Sequence, residues 1–273
     1  MSAISWPPAI RTGEKRTGGG SIGAASGGNM SLVKVESSEG ICTITMNRAD
    51  KRNALSQQLC DELMAAYQAF EAGPDQVAIL QAEGPHFSVG ADLKDPPGAM
   101  WKAVPHVSHK LSKPVIGATR GWVIGGAIVM IMTCDMLVAA DTTKLMYPEA
   151  RVGAFGGLAP GVVARMPHKV AMELILLGEE LPLERAWQVG FVNKIVPEGQ
   201  ERAEARRMAR IIADSAPLVI RTLRDFALQT LPKSPAEFIV PERYKLEQIA
   251  GSQDRIEGGA AFRDKRKPAF KGR

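Results

Sequence analysis

Apolar and polar side chains alternate in Leu32-Val-Lys-Val-Glu and again in Ile41-Cys-Thr-Ile-Thr-Met, with Ser37, Ser38 and Gly40 between the two runs. A period near two over short runs joined by small residues predicts a β-hairpin. The polar loop NRADKRNALS follows. From Leu59 the spacing changes: Leu63, Ala66 and Phe70 fall three or four residues apart, which predicts an amphipathic helix. Ser56 is placed to cap its start and Gly73-Pro74 to end it. Val77-Ala-Ile-Leu then reads as a short buried strand, and GPHFSVGADL as a loop turning toward a second helical start.

Pro114-Val-Ile-Gly-Ala-Thr predicts the next strand, and the segment GWVIGGAIVMIMTCD comes directly after it. Met136-Leu-Val-Ala-Ala and Leu145-Met-Tyr predict two more strands. Strand, glycine-rich loop, buried helix and strand recur in this order, the signature of parallel strands with helices on their faces, an α/β core. Beyond Ala159 the strands mostly stop. Helical patterns cover Leu158 to Leu177, Leu183 to Val189 and Gln200 to Thr230, the last broken near Pro217, with one more strand at Phe191-Val-Asn-Lys-Ile-Val. The remaining 40 or so residues read as helical and charged. The expected organisation is a glycine- and serine-rich disordered tail over 1–29, an α/β core over 30–198 and a helical region over 199–273. There is no internal repeat, no Gly-x-Gly-x-x-Gly beyond the glycine-rich tail and no P-loop.

Composition and charge change this picture in several places. With 45% hydrophobic but only 5% aromatic residues, the core must be largely Ala, Val, Ile, Leu and Met. The longest apolar run near the glycine pair, Val123 to Met132, is ten residues, half of the roughly 20 that a bilayer helix needs. The tail lacks the apolar stretch of a secretory signal. Cys42, Cys60 and Cys134 have neither metal-ligand spacing nor a disulfide pattern, so a reducing compartment and a cytoplasmic, metal-free protein are expected. The net charge of +5 is concentrated: the last eleven residues, RDKRKPAFKGR, hold six bases against one acid. Such an end is either solvated or a site for a polyanion, nucleotide phosphates or RNA.

Two loops carry the candidate chemistry. The helix after Gly125-Gly126 is apolar on all sides and must be buried, yet its first amides have no acceptor inside the helix. A glycine pair lets another backbone or a ligand approach those amides. His86-Phe-Ser-Val-Gly-Ala-Asp-Leu has the same character, with Asp92 near the expected helix start, where the dipole favours it. Two such units can aim one backbone N–H each at a shared oxygen, the geometry that stabilises an enolate or a tetrahedral oxyanion. A tight turn with water in the gap is the plainer reading of the same residues.

FSVGADL, then GWVIGGA, then YPEARVGAFGG, with RADKRNALS, FVNKIVP and the ending FRDKRKPAFKGR, resembles the enoyl-CoA hydratase/isomerase (crotonase) superfamily from about residue 31 to 273. The resemblance implies a spiral of ββα turns with a C-terminal helical region that mediates trimers, often stacked as hexamers. It also implies a coenzyme A thioester as substrate and no further cofactor. Carried over by motif, the backbone amides of Val89 and Gly126 would form the oxyanion hole. Lys51, Arg52, Ala54 and Leu55, with Gly90, Ala91 and Asp92, would line the thioester site. Lys51 or Arg52 would lie near the phosphates, and Lys265 in the basic end would meet them too, from this subunit or a neighbour.

Family hydratases carry two glutamates. The first falls three residues after the second glycine, where this chain has Val129; the second follows the proline of YPE and is Glu149. Hydration needs a water activated and a proton delivered, whereas moving a double bond needs one carboxylate to take a proton from C2 and return it to C4. One glutamate therefore favours isomerisation. The further acid of dienoyl isomerases is absent too, since Gly157 occupies its position. The segment from Asp92 to Pro114, which covers the acyl pocket in the family, is several residues short here. His86, His106 and His109 could supply a substitute base, and Tyr147 a hydroxyl or core packing. The alternatives are a hydratase with such a substitute, or a non-catalytic member that binds coenzyme A or, through Arg202 to Arg210 and the basic end, RNA. Nucleic acid is disfavoured because acids are interleaved and aromatic platforms are few. A serine hydrolase on Ser88 lacks the nucleophile-elbow pattern.

Overall fold

The computed structural model describes residues 31–154 and 157–273, so the tail over 1–29 and two residues of the YPEARVGAFGG motif, Phe155 and Gly156, lie outside the described residues. From Ser31 to Arg273 the chain is one compact unit.

Strands β1 (Val33–Ser38) and β2 (Ile41–Met46) form the expected hairpin, turning at Glu39-Gly40, both with positive φ. Helix α1 (Gln57–Ala72) starts at Ser56, whose hydroxyl accepts the Leu59 N–H, and ends at Gly73. Then follow β3 (Val77–Ala82), a 3₁₀ turn over Met100–Ala103, β4 (Val115–Thr119), β5 (Trp122–Ile124), α2 (Gly126–Thr133), β6 (Met136–Ala140) and β7 (Lys144–Met146). A short α3 (Glu149–Val152) leads to a 3₁₀ turn at Ala159–Ala164, α4 (His168–Met172) running into a π-turn at Glu173–Leu177, β8 (Glu180–Leu181), α5 (Leu183–Gln188) and β9 (Lys194–Val196). Helices α6 (Glu201–Ala213), α7 (Pro217–Thr230), α8 (Pro235–Ala250) and α9 (Gln253–Arg263) complete the chain.

The main sheet has the order β1-β2-β3-β4-β6-β9, parallel from β2 onward. Its two faces follow the period of two along each strand. Cys42, Ile44 and Met46 face α1, whose Leu59, Leu63, Tyr67 and Phe70 are buried in the same cluster. Each such side chain contributes about 1.5–3 kcal/mol by leaving water. Ile41, Val77, Ile79, Ile116 and Val138 face the other way, onto Ala205 and Ala209 of α6. Helix α6 thus belongs to the α/β core, although its sequence falls beyond 198, and its small residues let it approach the sheet closely.

Three local expectations need correction. No helix follows the 86–92 loop: the chain runs irregularly to the 3₁₀ turn at 100–103, so Asp92 has no helix dipole beside it. The helical stretch from 158 to 177 is broken at Pro167, which has extended backbone geometry. And residues 122–124, for which the sequence pattern gave no separate element, form a strand of a second sheet, β5-β7-β8. In the C-terminal helices, α7 buries none of its residues and leaves Leu218, Val219, Leu223 and Phe226 exposed.

Candidate functional site

Four chain segments lie side by side around strand β5. On one side, the Ser88 N–H donates to the Trp122 carbonyl at 3.0 Å and the Ile124 N–H to the Ser88 carbonyl at 3.0 Å. On the other side β7 runs parallel, and the Gly125 N–H donates to the Met146 carbonyl at 3.0 Å. Beyond the 88–92 loop, Leu55 bridges Ala91: its N–H donates to Gly90 and its carbonyl accepts from Asp92. The RADKRNALS loop, the FSVGADL loop, the glycine pair and the YPE segment are therefore brought together by backbone pairing.

The glycines sit where these segments touch. Gly90 has φ +83, and a Cβ there would stand 2.8 Å from the Ile124 carbonyl oxygen and 3.6 Å from the Gly126 nitrogen. Gly125 has φ +58 and packs directly on the Glu149 carboxylate, whose Cδ would be 3.2 Å from an added Cβ. The Cα of Gly126 faces the Met100 sulfur, 2.6 Å from an ideal Cβ, and Leu55 Cδ1 at 3.2 Å. As the first residue of α2, Gly126 directs an N–H out of the helix with no acceptor among the described residues.

The Val89 N–H is not in that position. It donates to the Arg52 carbonyl at 3.2 Å, an engagement that withdraws it from a ligand. Two residues on, Ala91 sits in a bridge that uses only its neighbours' groups, so its N–H has no acceptor among the described residues. Regular alternation would aim both amides the same way; Gly90 between them, at φ +83, breaks it. The sequence motif located the loop; the pairing partner decides which amide is available.

Around these amides the polar groups are closely tied. Arg48 donates to Asp92 at 2.7 Å and to the Ala54 carbonyl at 2.8 Å, and its guanidinium holds the Asp92 carboxyl below its usual range. Asn53 is fully buried at φ +52; it accepts the Arg48 N–H and donates to the Glu83 and His86 carbonyls, each at 2.9 Å. Ser88 donates its hydroxyl proton to the Asn53 carbonyl at 2.7 Å and accepts the Gly90 N–H at 3.2 Å. Ser88 is thus a buried strut rather than a nucleophile. Sequence reasoning missed Arg48 and Asn53, although both lie in the quoted loop; an arginine and an asparagine in a polar loop carry no sign of which buried carbonyls they will meet.

Glu149 opens α3, and its surroundings are different. One carboxylate oxygen is buried with no hydrogen-bond partner, and burial pushes its pKa up to about 7. Tyr147 is buried in the core, its hydroxyl pushed up by burial and by the Glu149 charge. The α3 segment is held from behind: Arg151 donates to the Leu177 carbonyl at 2.9 Å, and Gly178 packs on Tyr147 and Pro148. Val129, in α2, is buried in the main core.

The histidines serve other ends. His86 accepts the Trp122 N–H at 3.3 Å, and burial lowers its pKa. His106 lies 3.3 Å from Asp135 and 2.8 Å from Arg224, its pKa also lowered chiefly by burial. Both are tied into the frame, and no hydrogen bond or ion pair among the described residues joins His109 to Glu149. Lys51 and Arg52 are exposed at the left-handed exit of the 49–51 turn. Lys265 is exposed in the turn after α9, and no hydrogen bond or ion pair among the described residues joins it to the 48–56 segment. Arg266 is bound to Glu257 at 2.6 Å, which, with Asp254 receiving the Lys271 and Gly272 amides, folds the basic end back on α9. On α6, Arg202, Arg206, Arg207 and Arg210 each pair with an acid, which leaves that helix little unpaired positive charge for RNA. No group of three or more metal-ligating side chains occurs among the described residues, and no described helix is long and apolar enough to cross a membrane.

Residues 36–273 match the family model for enoyl-CoA hydratase/isomerase. A probable enoyl-CoA hydratase of Mycobacterium bovis is 30% identical over 255 residues, 87% of this chain and 97% of that protein. The (E)-benzylidenesuccinyl-CoA hydratase of Thauera aromatica is 29% identical, over 88% of this chain and 99% of its own. Among solved structures, an enoyl-CoA hydratase from Mycobacterium tuberculosis superposes with a TM-score of 0.69 at 28% identity, covering 89% of this chain and all of the other.

Proposed function

The chain belongs to the enoyl-CoA hydratase/isomerase family, and from that premise we propose that it moves a carbon–carbon double bond in acyl-CoA thioesters with Glu149 as its one acid–base group. The thioester oxygen accepts hydrogen bonds from the Gly126 and Ala91 amides. Glu149 takes the C2 proton of a 3-enoyl thioester; the electron pair spreads over a dienolate whose negative oxygen the two amides stabilise. The same carboxyl group then returns the proton at C4, leaving a 2-enoyl thioester. Each oxyanion donor is worth about 10²–10³ in rate.

The observation that carries this reading is the Glu149 carboxyl group, packed on Gly125 with one oxygen partnerless and its pKa raised to about 7, in a chain with Val129 where a hydratase carries its other acid. A carboxylate near neutrality can both accept and return a proton at physiological pH. The exposed Lys51 and Arg52 suit the coenzyme phosphates. The apolar face of α7 suits a homotrimer or hexamer, for which light scattering is the direct test.

A second reading, hydration of 2-enoyl thioesters by Glu149 alone, is favoured by the names of the relatives, which are hydratases. Purified protein assayed side by side with 3-enoyl-CoA and 2-enoyl-CoA separates the two. Conversion of the 3-enoyl thioester with little hydration supports isomerisation. Hydration at the faster rate overturns it in favour of the second reading.

A further inference from the structure

Gly125 and Gly126 meet different side chains. Gly125 packs on the Glu149 carboxylate; Gly126 packs on the Met100 thioether and Leu55. A thioester oxygen held by the Gly126 amide, with its C2 proton at Glu149, leaves the other side of C2 toward Met100. The polar groups identified around the site lie on the Glu149 wall or are tied into the frame around Arg48, Asn53 and Asp92.

Met100 has an unusual combination of fixed backbone and adaptable side chain. It opens the 3₁₀ turn at 100–103, which is pinned to α1 at three points. The Ala99 N–H donates to Gln57 at 3.0 Å, Lys102 to Asp61 at 2.7 Å, and the Tyr67 hydroxyl to the Ala103 carbonyl at 3.1 Å. Three anchors within five residues hold the Met100 Cα in place, so only rotation of its own side chain opens or closes that wall. An unbranched thioether with three rotatable bonds fills irregular space and yields to a ligand only by changing rotamer.

We infer that Met100 is the residue that selects the acyl group at the reacting carbon, admitting thioesters unbranched and apolar at C2 and disfavouring those that carry a 2-methyl or a polar 2-substituent. This deepens the proposed function and rests on its placement of the thioester at Gly126. Extra volume at C2 on the side away from Glu149 meets the Met100 sulfur; a polar group there meets a thioether and the Leu55 side chain, with no hydrogen-bond partner to replace its water. The discrimination expected for one methyl group is about tenfold or more.

The test pairs wild type with Met100→Ala and Met100→Leu and reads one ratio twice. Dissociation constants are measured for butanoyl-CoA and 2-methylbutanoyl-CoA, which cannot react. Values of kcat/KM are measured for 3-hexenoyl-CoA and 2-methyl-3-hexenoyl-CoA. The expected result is a wild-type preference for the unbranched member of each pair, lowered about tenfold by Met100→Ala and kept by Met100→Leu, which is close in volume. An unchanged preference in Met100→Ala, or none in wild type, overturns the inference. If the binding preference collapses in Met100→Ala while neither enoyl thioester is isomerised, Met100 stands as the selecting wall and the isomerase reading falls. If none of the four thioesters binds, both fall.

Discussion

The two sides of the site are built on opposite rules. Around the FSVGADL loop, Arg48, Asn53, Ser88 and Asp92 satisfy one another and the backbone at 2.7–3.2 Å. Across β5, Glu149 keeps a buried oxygen with no partner. A satisfied network gains rigidity from its low-dielectric surroundings, whereas an unpaired carboxylate in similar surroundings is held in an unfavourable state and takes up a proton more readily. One side is thereby a satisfied frame and the other keeps an unpaired carboxylate. The difference separates residues that hold the loops together from a carboxylate with hydrogen-bonding capacity left over.

The hardest break comes on the reactive side. Glu149→Gln removes the proton acceptor but keeps the shape, so turnover of the favoured enoyl thioester is expected to fall about 10²–10⁴-fold. Calorimetric binding of butanoyl-CoA is expected to stay within a few-fold. A variant that turns over at the wild-type rate would remove Glu149 from the reaction.

On the framing side, the largest effect should come from Arg48→Met, which strands the half-buried Asp92 carboxylate and the Ala54 carbonyl. A loss of about 3 kcal/mol is expected in urea unfolding. Its kinetic consequence should follow from lost stability and loop order, with the pH dependence of the remaining activity unchanged.

The pH response belongs to Glu149. Burial raises its folded-state pKa to about 7 from an ordinary value of 4.5, so the folded protein binds this proton more tightly than the unfolded chain. That contribution is complete below about pH 4.5 and is lost as pH rises through about 7. Glu149→Gln should therefore be more stable than wild type at pH 8, by about 1–3 kcal/mol, partial exposure keeping the gain toward the low end. The difference should vanish on acidification, as read by Tm across the range. Catalysis runs the opposite way: kcat/KM for the 3-enoyl thioester should rise about tenfold per pH unit up to about 7 and then level.

Smaller effects sharpen the contrast. Ser88→Ala removes one strut of the Gly90 amide and should cost about 1 kcal/mol in chemical unfolding. Arg206→Gln, which breaks a pair with Glu39 at the surface, should change stability by less than about 0.5 kcal/mol.

Much of this was legible in the chain. Periodicity placed the hairpin, α1 with its Ser56 cap, the apolar α2 and the break at Pro217, because those elements depend on local spacing and on caps within a few residues. The motif residues also picked out the loops that pair around β5, since glycines at positive φ and at close backbone contacts are local demands. Which amide is left without an acceptor was not legible. Val89 and Ala91 differ only in whether the Arg52 carbonyl, far away in sequence, takes the proton. Nor could the histidines be sorted by sequence: His86 and His106 resemble free bases until Trp122, Asp135 and Arg224 arrive beside them.

By itself the sequence determined the α/β class, the buried helix behind the glycine pair and the single glutamate with Val129 in place of another. Those follow from side-chain type and short-range spacing. Only the tertiary structure decided that Val89 is engaged and Ala91 free, that Glu149 is unpaired and raised, and that Met100 closes the wall facing Gly126. Each of these depends on what two distant segments do when brought together, because hydrogen-bond capacity and desolvation are properties of the partners present and not of the residue alone.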